Sequence, residues 1–268
     1  MRTSFKLKLL SALLLSCILY SCQKVVNINL NTASPKLVVQ ANMSNRPGPY
    51  SVILTQSVSF TTPNVFPAVT GARVIIEDNA GNADTLKESP AGTYTGSKLT
   101  GTPNRTYTLL INANGNNYTS VCTMPTPVNI DSISLKYIPL TGNNSVFISF
   151  KDPATGNNYY NGVEIVNHVI KNQDWTLSDV GFGVNGHEIT GPISSGGYQL
   201  KSGDTATILL ECIDVGMYNY YNSLYNASGS SGIGPGNPTP ANPPSNISNG
   251  ALGYFNACAI TSKSIIVP

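Results

Sequence analysis

Charge is what this sequence has least of. Only 10% of its 268 residues are charged, 15 Lys and Arg against 13 Asp and Glu. So few cations do not make the basic stripe of a nucleic-acid surface. Histidine is nearly missing: His168 and His187 are the two. No Cys/His/Glu group has zinc spacing, and neither H-E-x-x-H nor G-x-S-x-G occurs. The expectation is no metal, no cofactor and no catalytic residue, hence not an enzyme. No apolar run is long enough to cross a bilayer as a helix.

What is present begins at the N-terminus. Arg2, Lys6 and Lys8 form a positive region, Leu9 to Tyr20 an apolar stretch of signal-peptide length, and small Ser21 precedes Cys22. This reads as a signal peptide over residues 1–21. "LYSC" resembles the bacterial lipobox, with Tyr20 departing from the usual small residue. Cys17 fits the local pattern better, but cleavage there leaves Ile18, Leu19 and Tyr20 as an apolar start. Cys22 is therefore the expected lipidation site, and plain secretion is the alternative. A multiply acylated cysteine gains about 0.8 kcal/mol per buried methylene and holds a soluble domain on a membrane. Losing Arg2, Lys6 and Lys8 lowers the cations from 15 to 12 against 13 carboxylates. The mature chain then has a net charge near −1, and nucleic acid is not an expected partner.

The polarity comes from Asn, Thr, Ser, Gly and Tyr, which suits an exported β-rich protein. Six N-x-[ST] sequons, at Asn42, Asn104, Asn117, Asn143, Asn226 and Asn246, follow from that richness. Beyond Cys22 the mature chain keeps Cys122, Cys212 and Cys258, an odd set that allows one intramolecular disulfide at most. Cys212 and Cys258 sit in apolar, strand-like runs, either as buried thiols or as a bridge.

After a tether over 22–34, short alternating runs follow one another. "KLVVQANM" (36–43), "PYSVILTQS" (49–57), "GARVIIEDNAGNADTLKE" (71–88) and "GTYTG" (92–96) read as strands. "RTYTLLINANGNNYTSVCT" (105–123) is a hairpin turning at Asn-Gly. Pro125 and Pro127 mark a boundary. Beyond it "SISLKYIPL", "SVFISF" (145–150), "GVEIVNHVI" (162–170) and "TATILLECI" (205–213) alternate again. "VGMYNYYNSLYNAS" (215–228) has helical spacing, with Met217, Tyr221 and Leu224 on one face. Residues 229–250 are too rich in Gly, Pro, Ser and Asn to build a core and read as a loop. The end, "LGYFNACAITSKSIIVP", reads as two strands closing a second sheet. The expected fold class is all-β in the main. An immunoglobulin- or transthyretin-like sandwich covers 35–126, and a second β domain with one helix covers 127–268.

Candidate functional residues are few. His168 reads as a strand residue and His187 as part of a turn. "DNAGNAD" (78–84) reads as a hairpin turn, with a calcium loop as the alternative. In the helix, Tyr218, Tyr220 and Tyr225 are candidate partner contacts. Trp175 is either a core anchor or an exposed contact, and the 229–250 loop is a candidate contact segment. Ser132, Thr85 and Thr205 each follow an Asp and precede an aliphatic residue, a tripeptide that suits bacterial O-glycosylation where it is exposed.

Several stretches together resemble the family of Bacteroidota outer-membrane lipoproteins labelled domain of unknown function 4249. They are "CQKVVNINL…SPKLVVQANM", "VTGARVIIEDNAGN…GTYTG", "YTLLINANGNNYTSVCTMPTPVNIDSI", "LKSGDTATILLECIDVGMYNYYNSLY" and "NISNGALGYFNACAITSKSIIVP". The resemblance implies a palmitate-type lipid anchor on the outer membrane, facing the cell surface or the periplasm. It also implies work beside a TonB-dependent β-barrel transporter. Gln23 and Lys24 stand where family members often carry an acidic residue, the feature associated with surface export in that phylum. The resulting expectation is a binding or accessory lipoprotein with an unknown ligand. The alternatives are a structural or adhesion surface module, and a hydrolase using Glu188 or Asp179.

Overall fold

The computed structural model describes residues 34–59, 63, 65–139, 142–178, 185–193, 198–227 and 242–268. The signal segment 1–21, Cys22 and the tether to residue 33 lie outside the described residues. Residues Pro35–Pro268 form one compact unit. None of its described helices is long and apolar enough to cross a membrane.

Period-two alternation decides the strands. In β1 (Leu37–Ser44) the buried side chains are Leu37, Val39, Ala41 and Met43, with Gln40 and Asn42 turned outward. The same logic builds β2 (Tyr50–Gln56), β3 (Arg73–Asp78), β4 (Ala83–Thr85), β5 (Lys87–Glu88), β6 (Thr93–Gly96), β7 (Thr106–Ala113) and β8 (Asn116–Thr123). The further strands are β9 (Ser132–Ile138), β10 (Asn143–Lys151), β11 (Tyr159–Val166), β12 (Val169–Ser178), β13 (Glu188–Ile193), β14 (Thr205–Ile213) and β15 (Leu252–Ile266); β14 alternates clearly, whereas β11 and the first half of β15 are buried on both faces. The one described helix, α1 (Val215–Ala227), follows β14 directly. The all-β expectation holds. Eight strands form one sheet in the order β12-β11-β14-β15-β1-β2-β6-β5. Two smaller sheets, β4-β3-β7-β8 and β13-β10-β9, complete the fold, and all three feed one core.

The turns follow residue chemistry. Asn114 and Gly115 both take positive φ, 51° and 75°, between β7 and β8, as a primed two-residue hairpin requires. Asn167 and His168 do the same, at 48° and 67°, between β11 and β12. This corrects the reading of 162–170 as one strand: Asn tolerates the left-handed conformation, so the run folds back, and His168 sits at the tip. The turn after β3 is organised by Asp78. Its carboxylate accepts the backbone N–H of Ala80 and Asn82, the Asn82 amide, and Arg105 at 2.8 Å. Asp84 accepts the Tyr50 hydroxyl at 2.6 Å and two backbone N–H groups, from Ser97 and Lys98. Both carboxylates of "DNAGNAD" are thus engaged by donors, as the turn reading requires.

The last strand departs most from expectation. The terminal run is one strand of fifteen residues, not two. Its first half, Leu252–Cys258, pairs in parallel with β1, while Ala259–Ile266 pairs antiparallel with β14. The irregular run 124–131 does lie at the expected boundary, yet β15 carries the pairing across both sides of it. Where β15 has a strand on one edge only, an Asn amide takes the missing place. Asn246 accepts the Phe255 N–H and donates to the Phe255 carbonyl. Asn45 does the same for Ile260. Each amide reproduces the donor–acceptor pair of a strand residue, so main-chain groups at the centre of the sheet are not left unpaired. Gly253 sits opposite Val39 in the parallel pair at φ 92°. A β-carbon there would collide with the Val39 carbonyl oxygen.

The composition of residues 229–250 predicts a loop unable to build a core. Residues 228–241 lie outside the described residues, but Ile247 is buried and the backbone N–H of Ser248 donates to the Thr119 carbonyl at 2.8 Å. Cys122, Cys212 and Cys258 are free, buried thiols, so Cys212 and Cys258 are not bridged.

Candidate functional site: a polar-floored groove beside the helix

One face of the eight-stranded sheet is core; the other is only partly covered. Asp214 starts the cover. Its carboxylate caps α1 by accepting the Met217 N–H at 2.6 Å, a standard helix start. It also accepts the Tyr254 hydroxyl and the Cys122 thiol, both at 3.1 Å. Met217 is buried on Ile213, Tyr254 and Cys258, with Tyr159, Tyr218, Tyr220 and Tyr221 packed around them. The helix range matches expectation, but Leu224 is 41% exposed. The helix therefore presents a narrower apolar face than its spacing suggested. The Cys122 thiol is pushed well up by burial and by the charge of Asp214. A thiol held protonated is in the wrong state for a nucleophile.

Beyond the helix the sheet face opens into a groove of about 350 Å³, within the range of small-ligand sites. Tyr221 of α1 lines it, as do Arg46, Gly48 and Pro49 of the β1–β2 turn. Asn161 of β11, Glu211 of β14, Asn256 of β15 and Asn42 of β1 supply polar groups. Val163, Ile165, Leu209 and Ile260 supply aliphatic surface. The Asn161 amide donates to Glu211 at 2.9 Å. That bond fixes the amide's orientation, because a carboxylate takes only the NH₂ end. Asn161 Oδ1 is left with no partner, though the residue is only 1% exposed. Asn256, 2% exposed, donates a long 3.5 Å bond to Asn42, and its Oδ1 is also unpartnered. Burial raises the Glu211 carboxyl, against the pull of the Asn161 bond and the Arg46 charge.

Asn161, Glu211 and Asn256 were not singled out from sequence, and Asn42 only as one of six sequons. The signal was there in "YYNGVEIV", "LLECI" and "GYFNACAI", where a polar side chain interrupts an apolar strand without a turn. Such a break of local rules marks a functional or strained position more often than an ordinary one.

The sequence-predicted residues lie elsewhere or at the margin. Tyr218 and Tyr220 are half-buried, their rings 5.2 Å from Tyr159 and 5.5 Å from Tyr254. Tyr225 is 47% exposed. The Trp175 backbone pairs with Gly162, and its side chain lies outside the described structure. Thr85, Ser132 and Thr205 are all exposed. His168 and His187 are exposed and apart from the groove lining. Glu188 hydrogen-bonds Ser149, which Thr190 also reaches. Asp179 lies outside the described residues. Among the described residues, no three His, Cys, Asp or Glu side chains are grouped to hold a metal ion.

The family described as "Domain of unknown function (DUF4249)" matches residues 23–264. The chain belongs to this family. No curated protein matches it. Among solved structures it is similar to a two-fibronectin-type-III segment of chicken tenascin. That likeness has 11% identity and a TM-score of 0.24, and covers 88% of this chain and all of the other. It is also similar to the adhesin InvE of Yersinia pseudotuberculosis, at 20% identity and a TM-score of 0.19, covering 66% of this chain and 55% of the other.

Proposed function

We propose that this family member is a non-catalytic binding lipoprotein of the bacterial outer membrane. It is held by lipid on Cys22, captures a ligand in the groove beside α1, and works next to a TonB-dependent β-barrel transporter. The observation that carries the binding reading is the pair of buried, unpartnered amide oxygens of Asn161 and Asn256 in the groove. Natural folds leave few such groups, and each costs about 1–3 kcal/mol where nothing satisfies it. A ligand with hydrogen-bond donors removes that cost on binding where each amide turns outward to meet it, since neither oxygen is open to solvent in this structure. The lipid anchor rests on the residues around Cys22, and the transporter on the resemblance of the whole chain. Tyr225 and the tyrosines beside it offer the helix face as the contact with that barrel.

The test is a gentle detergent pull-down of the lipidated chain from its native membranes, followed by mass spectrometry. A stoichiometric β-barrel transporter is the expected companion. Recovery of the chain alone would reject the transporter role and favour a structural or adhesion module. In the same preparation, Cys22→Ser is expected to shift the protein from the membrane to the soluble fraction.

A further inference from the structure

The unmet hydrogen-bonding capacity of the groove has one sign. Asn161 Oδ1 and Asn256 Oδ1 are both acceptors, and the Glu211 carboxylate beside Asn161 accepts too. The occupant must therefore present donors. Its charge is constrained as well. Among the residues that line the groove, Arg46 and Glu211 are the charged ones, one of each sign. A polyamine would meet no excess of negative charge there, and an anion no excess of positive charge.

Geometry narrows the class further. Asn161 is in register with Glu211, and Glu211 with Ile260, four residues along β15 from Asn256. Two strand spacings and four residues of rise separate the two amides by about 16 Å at the backbone. A single cation, with ligand distances near 2.4 Å, does not reach both. An extended peptide binds a sheet by pairing with free main chain at an edge. The groove floor lies mid-sheet, where β11, β14, β15 and β1 already pair with one another. A short chain of hydroxyl-bearing rings meets all these conditions. Its hydroxyls donate to Glu211 and, with each amide turned outward to meet them, to the oxygens of Asn161 and Asn256, which are closed to solvent in this structure, and they accept from Arg46 at the rim. Its C–H faces lie on Val163, Leu209 and Ile260, with Tyr221 at the side. We infer that the groove binds a short, neutral oligosaccharide, with Asn161 and Asn256 as the residues that select it. This rests on the binding-module reading above and names its ligand class.

The experiment uses the detergent-solubilised, lipidated full chain on an array of short neutral and acidic oligosaccharides. Spermidine and tetra-alanine, titrated by calorimetry, are the controls. Asn256→Leu, Asn161→Leu and Arg46→Ala are carried alongside, with Tm recorded for each. Leucine keeps asparagine's branching and removes an unsatisfied polar group, and the groove that Asn256 borders has room for its larger volume. Asn256→Leu should therefore keep or raise Tm while weakening binding tenfold or more; Arg46→Ala, at the exposed rim, should weaken binding with Tm unchanged. Binding of a neutral oligosaccharide by the wild type, lost in these variants, is the expected result. Binding that survives in both leucine variants, or a wild type that binds no neutral oligosaccharide, overturns the inference. Spermidine or peptide binding that depends on Asn256 would sink the ligand class and leave the binding module standing. No binding of any probe by a well-folded wild type would sink both.

Discussion

Replacing Asp78 with Asn tests the electrostatics of the fold at one carboxylate. Burial works against the charge of Asp78. The Asn82 side chain, the backbone N–H groups of Asn82 and Ala80, and Arg105 outweigh it, holding the carboxyl at about 2 against an ordinary 3.8. A folded-state value below the unfolded one stabilises the protein above the unfolded value, and that stability is lost as pH falls toward the folded value. At 1.36 kcal/mol per unit the gap corresponds to about 2 kcal/mol at neutral pH. Asp78→Asn removes it, because the amide cannot accept as an anion from Arg105. For a chain of this size the variant should melt about 4–8 °C below wild type at pH 7. The two curves should converge between pH 4 and pH 2, where the wild-type carboxylate protonates. Thermal melts across that range read the difference directly. A gap unchanged from pH 7 to pH 2 would refute the electrostatic account, and no gap at pH 7 would show that the turn holds without the charge.

Three further outcomes follow from the last strand and its surroundings. Asn45→Ala and Asn246→Ala should each cost about 2 kcal/mol in urea unfolding, since each strands the N–H and C=O of one β15 residue; losses within the error of extrapolation would show that water replaces the amide. Gly253→Ala should be far worse, above about 3 kcal/mol, because its β-carbon meets the Val39 carbonyl in a backbone conformation unfavourable to alanine; soluble, cooperatively folding protein with near-native stability would contradict the parallel β1–β15 pairing. Cys122, Cys212 and Cys258 should resist iodoacetamide at pH 8 in the native state and react in urea, read by peptide mass spectrometry. Burial pushes the Cys212 thiol up to about 11, leaving only about one molecule in a thousand as thiolate.

Local chemistry alone settled much of this protein. Alternation in "LVVQANM" and "TYTLLINA" specified strands because one face had to be apolar. Asn-Gly specified the β7–β8 hairpin because that turn needs positive φ. The spacing of "VGMYNYYNSLYNA" specified a helix; the Asp214 cap before it came only from the structure. The lipid anchor proposed on Cys22 rests on a linear pattern alone. Where the fold is settled by partners far along the chain, the sequence was silent. Nothing in "LGYFNACAITSKSII" says that its first half pairs with β1, more than two hundred positions away, and its second with β14, about fifty positions away, because strand pairing joins residues far apart along the chain. Nor do Asn45 and Asn246 announce themselves as substitutes for missing strands. The groove is the strongest case: Asn161 and Asn256 look like interruptions of apolar runs until the sheet sets them on one face. Only the packed sheet determines that both amides are dry, and only the hydrogen-bond geometry determines that an oxygen on each is left over.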